Sequence, residues 1–252
     1  MNNRILLVFE GEKTEREIFE NLRQYFFKEK SENTMLYATF NTDIYQLYKE
    51  MQADEYLDII SLLKEKSHNK SSLSDILPRD IAQIFLFFDY DGHAQKSSDN
   101  KITDLLNHFN EETENGKLYI SYPMVEALKH LSSNINFSQS VVEAKRNIKY
   151  KQLVNNECNK SYQCLKELTK KHWAVLLTEH CKKMYYLISG KYILPTKFIP
   201  QLTIFEAQLK QYIQPNNQVA VLSAFPVFII DYYGCLQLSN IIKDLATKGS
   251  HS

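Results

Sequence analysis

The chain has 252 residues, 30 Lys+Arg balanced by 30 Asp+Glu, 44% hydrophobic and 12% aromatic content, and only six Gly and six Pro. That apolar supply supports a sizeable packed core, in one large domain or one domain with a smaller partner, and excludes collagenous and broadly disordered classes. No apolar run reaches the ~18 residues of a membrane span, and the opening MNNRILLVFEGEK has no signal-peptide pattern, so a cytoplasmic protein without a membrane partner is expected.

The zero net charge conceals a division. Residues 1–138 hold 15 Lys+Arg and 23 Asp+Glu, whereas residues 139–252 hold 15 and 7. An acidic half that collects cations beside a basic half that holds a polyanion suits a metal-dependent enzyme acting on nucleic acid; an electrostatically matched pair of domains would show the same division. Cys158, Cys164, Cys181 and Cys235 form no C-x-x-C pair and have no histidine at zinc-finger spacing, so zinc is not expected. The final Gly249-Ser250-His251-Ser252 reads as the remnant of an appended tag.

In chain order, Ile5 to Phe9 form an apolar run that ends at Glu10-Gly11-Glu12-Lys13-Thr14-Glu15 and is followed by Ile18, Phe19, Leu22, Tyr25 and Phe26 at helical spacing. This is strand, tight turn, helix. Thr14 and Glu17 fit a capping box, and Glu15 suits the positive end of the helix dipole. Met35 to Phe40 read as a second strand, Asp43 to about Lys66 as one long helix, and Ser67 to Pro78 as a polar loop.

The central stretch is IAQIFLFFDYDGH at residues 81–93, where an unbroken apolar run ends in Asp89-Tyr90-Asp91-Gly92. Side chains at i and i+2 of an extended segment point the same way, so Asp89 and Asp91 can share one hard cation while Gly92 lets the backbone turn behind them. The alternative is a strand followed by an Asp-rich turn. Glu10 ends its own strand as Asp89 ends this one, and a parallel sheet brings both to one edge, where ligands of open α/β sheets bind.

Asp99 to Glu114 reads as a helix stopped by Asn115-Gly116, and Lys117 to Ser121 as a fourth strand, which completes a βαβαβαβ rhythm and predicts a parallel sheet covered by helices. Tyr122-Pro123-Met124-Val125-Glu126 then starts a helix and puts Glu126 just past the strand end, for dipole stabilisation or for a functional role. Beyond Ser138 strand signals fade. Residues 139–157, 161–188, Leu202 to Tyr212 and Val227 to Leu245 read as helices, giving a mostly helical basic region over 139–248 behind an α/β domain over 1–138. Lys166, Lys170, Lys171, Lys182 and Lys183 are available for phosphates, with Trp173, Tyr185 and Tyr186 interleaved either as stacking groups or as core. Asp231, inside an apolar stretch, needs a partner if buried. Among the histidines only His93, two residues past Asp91, stands out. No G-x-S-x-G, Walker A or H-E-x-x-H sequence is present.

The pair E-G-E-K-T-E after strand one and F-F-D-Y-D-G after strand three resembles the TOPRIM domain of topoisomerases, bacterial primases and OLD-type nucleases. Over residues 4–131 the wording looks closest to the OLD-like and RloB-like branch and to the TOPRIM subunit of the PARIS anti-phage system, and Pro123-x-x-Glu126 is similar to an element of RloB-like proteins. The resemblance implies that Glu10, Asp89 and Asp91 carry Mg²⁺ or Mn²⁺ chemistry, with Glu15 and Glu126 serving a second metal or supporting the first. It also implies host defence, with transfer RNA as one candidate substrate, and an ATPase partner in trans. His93 stands where a third acid would follow, and no tyrosine is identifiable as a strand-passing nucleophile, which argues against a topoisomerase.

The expectation is a metal-dependent endonuclease cutting RNA or DNA, with catalytic Glu10, Asp89, Asp91 and Glu126, metal-holding Glu10, Asp89, Asp91 and Glu15, and Glu12 or His93 orienting water. It would be restrained until triggered, and a homo-oligomer is compatible with it. The alternatives are a nucleotide-sugar glycosyltransferase using the D-x-D, which leaves E-G-E-K-T-E unexplained, and a TOPRIM-like scaffold that binds nucleic acid or a partner without cutting.

Overall fold

The computed structural model describes residues 3–27, 33–54, 56–132 and 136–247. The first half runs β1 (Asn3–Phe9), α1 (Thr14–Phe26), β2 (Asn33–Thr39), α2 (Ile44–Ala53), α3 (Ile59–Glu65), α4 (Lys70–Leu73), β3 (Ile81–Asp89), α5 (Asp99–His108), β4 (Asn110–Glu111) and β5 (Gly116–Ser121). The second runs β6 (Val141–Glu143), α6 (Tyr150–Glu157), α7 (Lys170–Ser189), α8 (Gln201–Gln208), α9 (Gln214–Asn216), β7 (Gln218–Ala220), α10 (Ala224–Tyr233) and α11 (Cys235–Thr247).

One five-stranded sheet organises the molecule, in the order β2-β1-β3-β5-β4. Its first four strands are parallel, and β4 is an antiparallel edge. The expected α/β architecture with a parallel sheet flanked by helices, followed by a helical C-terminal region, is therefore what the chain adopts. β1 and β3 are the central strands, and their unbroken apolar runs are buried because helices cover both faces. On one face Phe87 stacks on Phe225 of α10 with ring centres 5.0 Å apart, and Phe19 of α1 lies 6.3 Å from Phe228. Phe88 points the other way and meets Phe40 at 5.5 Å, on the side where Tyr48 of α2 bonds Asp104 of α5.

α10 thus belongs to the same core as the sheet, so the 138/139 boundary cuts through shared packing rather than a linker. Asp231 of α10 has partners: Tyr119 Oη donates to it at 2.6 Å and Lys117 Nζ lies 2.8 Å away. Among the described residues no single helix is long and apolar enough to cross a membrane; α10 and α11 reach that only together, bent by 114°.

Several expected elements are shorter than the sequence suggested. The long helix over 43–66 breaks after Ala53, because the Asp58 carboxylate caps a new helix by accepting from Ile60 N–H. The loop over 67–78 contains α4 and a buried Asn69 that bonds both Thr39 and Leu63. α5 stops at His108, and β4 turns back on β5 where a longer helix was expected. The helix expected from Pro123 is a short 3-10 turn, Val125–Lys129, after a cis Tyr122–Pro123 peptide. Residues 139–157 hold β6 before α6, and the helix expected over 161–188 begins only at Lys170. Gly234, at φ 81°, separates α10 from α11 where one helix was expected. The capping box at Thr14 does not form: Lys13 is the cap residue of α1 and makes no side-chain bond there. The tag-like 249–252 lies outside the described residues.

Candidate metal centre

Parallel pairing of β1 with β3 places Phe9 beside Phe87, so both strands end at one edge. Glu10 N–H donates to Phe87 O at 3.0 Å, and Asp89 N–H donates to Glu10 Oε2 at 2.9 Å. The carboxylate of the first strand is thus latched onto the end of the third. Asp89 is itself buried, 6% exposed, and neighbours Ser121 at the end of β5. From there the chain passes into the 3-10 turn that carries Glu126, only 3% exposed. Glu15, in the first turn of α1, folds back so that Oε1 accepts from Gly11 N–H at 3.0 Å.

Burial and mutual repulsion dominate the electrostatics. Burial, reinforced by the charges of Asp91, Glu15 and Asp43, pushes Glu10 up to about 9, against the amide bond from Asp89. Burial also raises Asp89 well above the usual carboxylate range, with Glu10, Glu15, Asp91 and Glu126 adding to it. Asp91 is raised by burial and relieved by His93, whose Nδ1 is 4.0 Å from Asp91 Oδ1. Glu15 is raised by burial, against backbone amide bonds that include the one from Gly11, with Lys151 relieving it further. Glu126 Oε1 lies 3.4 Å from Lys151 Nζ, while its buried Oε2 has no hydrogen-bond partner among the described residues. Sequence reasoning missed both Lys151 and Asp43, which caps α2 by accepting from Gln46 N–H at 2.9 Å.

All five expected acids therefore gather at the sheet's carboxyl edge. As placed, however, no group of three or more His, Cys, Asp or Glu side chains among the described residues is set to hold a metal ion. Glu10 and Glu15 each give an oxygen to an amide. The hard oxygen donors and the partnerless Glu126 Oε2 fit Mg²⁺ or Mn²⁺ chemically, and enclosing such an ion requires these side chains to change rotamer. Glu12 is exposed and makes no bond to the cluster.

Asp91 and Gly92 shape the site differently from expectation. Asp91 itself takes the left-handed conformation, φ 43°, so the sharp turn is not supplied by Gly92. Gly92 is needed for space: a Cβ there would lie 2.8 Å from Ala144 O. The bare Gly92 thus leaves room for the segment 144–152 beside the acidic edge. Lys145 pins the same segment by donating to Asp99 Oδ1 at 2.8 Å and Tyr90 Oη at 2.9 Å. Between them lies a cavity of about 330 Å³ lined by Asp91, His93, Met124, Arg146, Lys149 and Lys151.

The expected nucleic-acid lysines fare unevenly. Lys170 and Lys171 are exposed at the start of α7. Lys166 is exposed and pairs with Glu17 at 3.3 Å, and Lys182 lies 3.9 Å from Glu179. Lys183 is not available: it is 0% exposed, donates to Ser140 O and lies 4.5 Å from the centre of the Phe137 ring, and burial holds its pKa well below normal. Trp173 is core, its Nε1 donating to Asn21 Oδ1 at 2.7 Å.

No protein-family model, curated protein or solved structure matches the chain.

Proposed function

We propose that the chain is a metal-dependent nuclease that hydrolyses phosphodiester bonds, with Glu10, Asp89 and Asp91 as the principal metal-holding groups and Glu15 and Glu126 supporting them. One observation carries the reading: five carboxylates from four chain segments gather at the carboxyl edge of the sheet, where burial holds Glu10, Glu15, Asp89 and Asp91 above the usual range. Such a cluster is costly to keep ionised unless a cation offsets its charge. Bound Mg²⁺ or Mn²⁺ would neutralise the charge that develops on phosphate oxygens during hydrolysis. His93, exposed beside Asp91 with Nδ1 4.0 Å from Oδ1, takes the proton from the attacking water. Lys151, 3.4 Å from Glu126, offsets part of the cluster's charge.

The anti-phage role, the trigger and the ATPase partner in trans belong to the same proposal and rest on the motif resemblance. A second reading, a scaffold that binds nucleic acid without cutting, has one observation in its favour: the acids as placed do not enclose a metal. The two separate in a cleavage assay on labelled total RNA and plasmid DNA with Mg²⁺ or Mn²⁺. The nuclease reading expects cutting that falls at least about 100-fold in Asp89→Asn and in Glu10→Gln. Equal cutting by folded variants refutes it, and tight binding without cutting by the wild type favours the scaffold.

A further inference from the structure

We infer that the cavity between Asp91 and the segment 144–152 binds one unpaired nucleotide of a single-stranded nucleic acid, its phosphate against Arg146 and Lys149 and its base against Pro123, Met124 and Ile148. This deepens the nuclease reading and rests on it for the chemistry that follows, though binding itself does not require cutting.

Four cations crowd into the seven residues from Lys145 to Lys151. Two are already engaged, Lys145 with Asp99 and Lys151 with Glu126. Arg146 and Lys149 are exposed on the cavity wall, and neither has an ion-pair partner among the described residues. A planar guanidinium and an ammonium facing one concavity suit a phosphate, which they bind through charge-assisted hydrogen bonds. Below them Pro123, Met124 and Ile148 give the cavity an apolar side, which suits the face of a base. A volume of about 330 Å³ lies at the small end of ligand pockets, enough for one nucleotide and far too small for a duplex. A paired base would have to leave its stack to enter. Asp91 and His93 line the same cavity, so a phosphate held by Arg146 and Lys149 leaves the next part of the strand at the acidic edge.

The test is equilibrium binding by fluorescence anisotropy in EDTA, so that cutting plays no part, using a short labelled single strand and the duplex of the same sequence. Arg146→Gln/Lys149→Asn is the test variant, because Asn tolerates the left-handed backbone that Lys149 adopts at φ 51°. The single strand should bind more tightly than the duplex. The double variant should weaken single-strand binding about ten-fold or more and lower the salt slope by roughly two. Wild-type affinity in that variant, equal affinity for the duplex, or loss confined to Lys170→Glu/Lys171→Glu would overturn the inference. So would a nucleoside monophosphate competing as strongly as the strand, which would make the cavity a free-nucleotide site. If binding behaves as expected and no metal-dependent cutting occurs, the nuclease reading fails and the binding site stands. If cutting is present and the double variant binds normally, the reverse holds.

Discussion

Glu10 carries the plainest pH signature in the fold. Its carboxyl ionises near 4.5 when unperturbed and near 9 in the folded chain, so between those values the native state holds a proton that the unfolded state has released. Stability must then fall as pH rises through that window. In EDTA, Tm should decline from about pH 5 to about pH 9, and Glu10→Gln should flatten the decline and raise Tm near its upper end by at least ~2 °C, the effect of about 1 kcal/mol in a chain of this size. A Tm indifferent to pH in both proteins would contradict the burial assigned to this group. Lys183 makes the opposite kind of case. Lys183→Glu should cost about 3–5 kcal/mol in urea denaturation, Lys183→Met little, and Lys170→Glu less than about 0.5 kcal/mol. Its burial was legible in principle: Leu176, His180, Lys183 and Leu187 fall on one helical stripe, all four inward. Its charge made it look like surface.

Among the elements, β1 and β3 were readable because strands buried on both faces are continuous apolar runs with no polar alternation to confuse them. Their shared edge followed from parallel pairing, and with it the meeting of Glu10 and Asp89. The helices were harder. Leu57, Ile60 and Leu63 continue the apolar period of α2, and only the Asp58 cap, a local hydrogen bond, divides α2 from α3. β6 is three residues long, too short for a periodic signal, so the basic stretch behind it was hidden in a supposed helix. The density of cations from Lys145 to Lys151 was the available clue. Gly116 opens β5 at φ 106°, and a Cβ there would lie 2.7 Å from Leu86 Cδ1, so Gly116→Ala should destabilise by roughly 1–3 kcal/mol in chemical denaturation. Gly92→Ala should displace both the Tyr90 ring, whose Cε1 a Cβ would overlap, and Ala144, and so weaken single-strand binding; unchanged binding in the folded variant would contradict the seating of this segment on the acidic edge.

At the scale of the molecule, the acidic and basic halves are two charge regions over one core. Phe225 and Phe228 of α10 lie against Phe85 and Phe87 of β3, so a fragment ending at residue 138 would expose the face of its own sheet. That fragment should show no cooperative unfolding transition, whereas the full chain should show one; a cooperatively folded fragment would mean that the shared packing is dispensable. The seating of segment 144–152 on the sheet's carboxyl edge brings the two signs of charge together, with Asp91 and Glu143 lining the same cavity as Arg146 and Lys149. The claim that this edge is a cation site is met most directly by calorimetric titration of Mn²⁺ into the metal-free protein near neutral pH, in two buffers of different ionisation enthalpy. Saturable binding should release protons, because Glu10 and Asp89 give theirs up to the metal, and Asp89→Asn should weaken it at least about ten-fold. Absence of saturable binding, or the same binding in the folded variant, would contradict it.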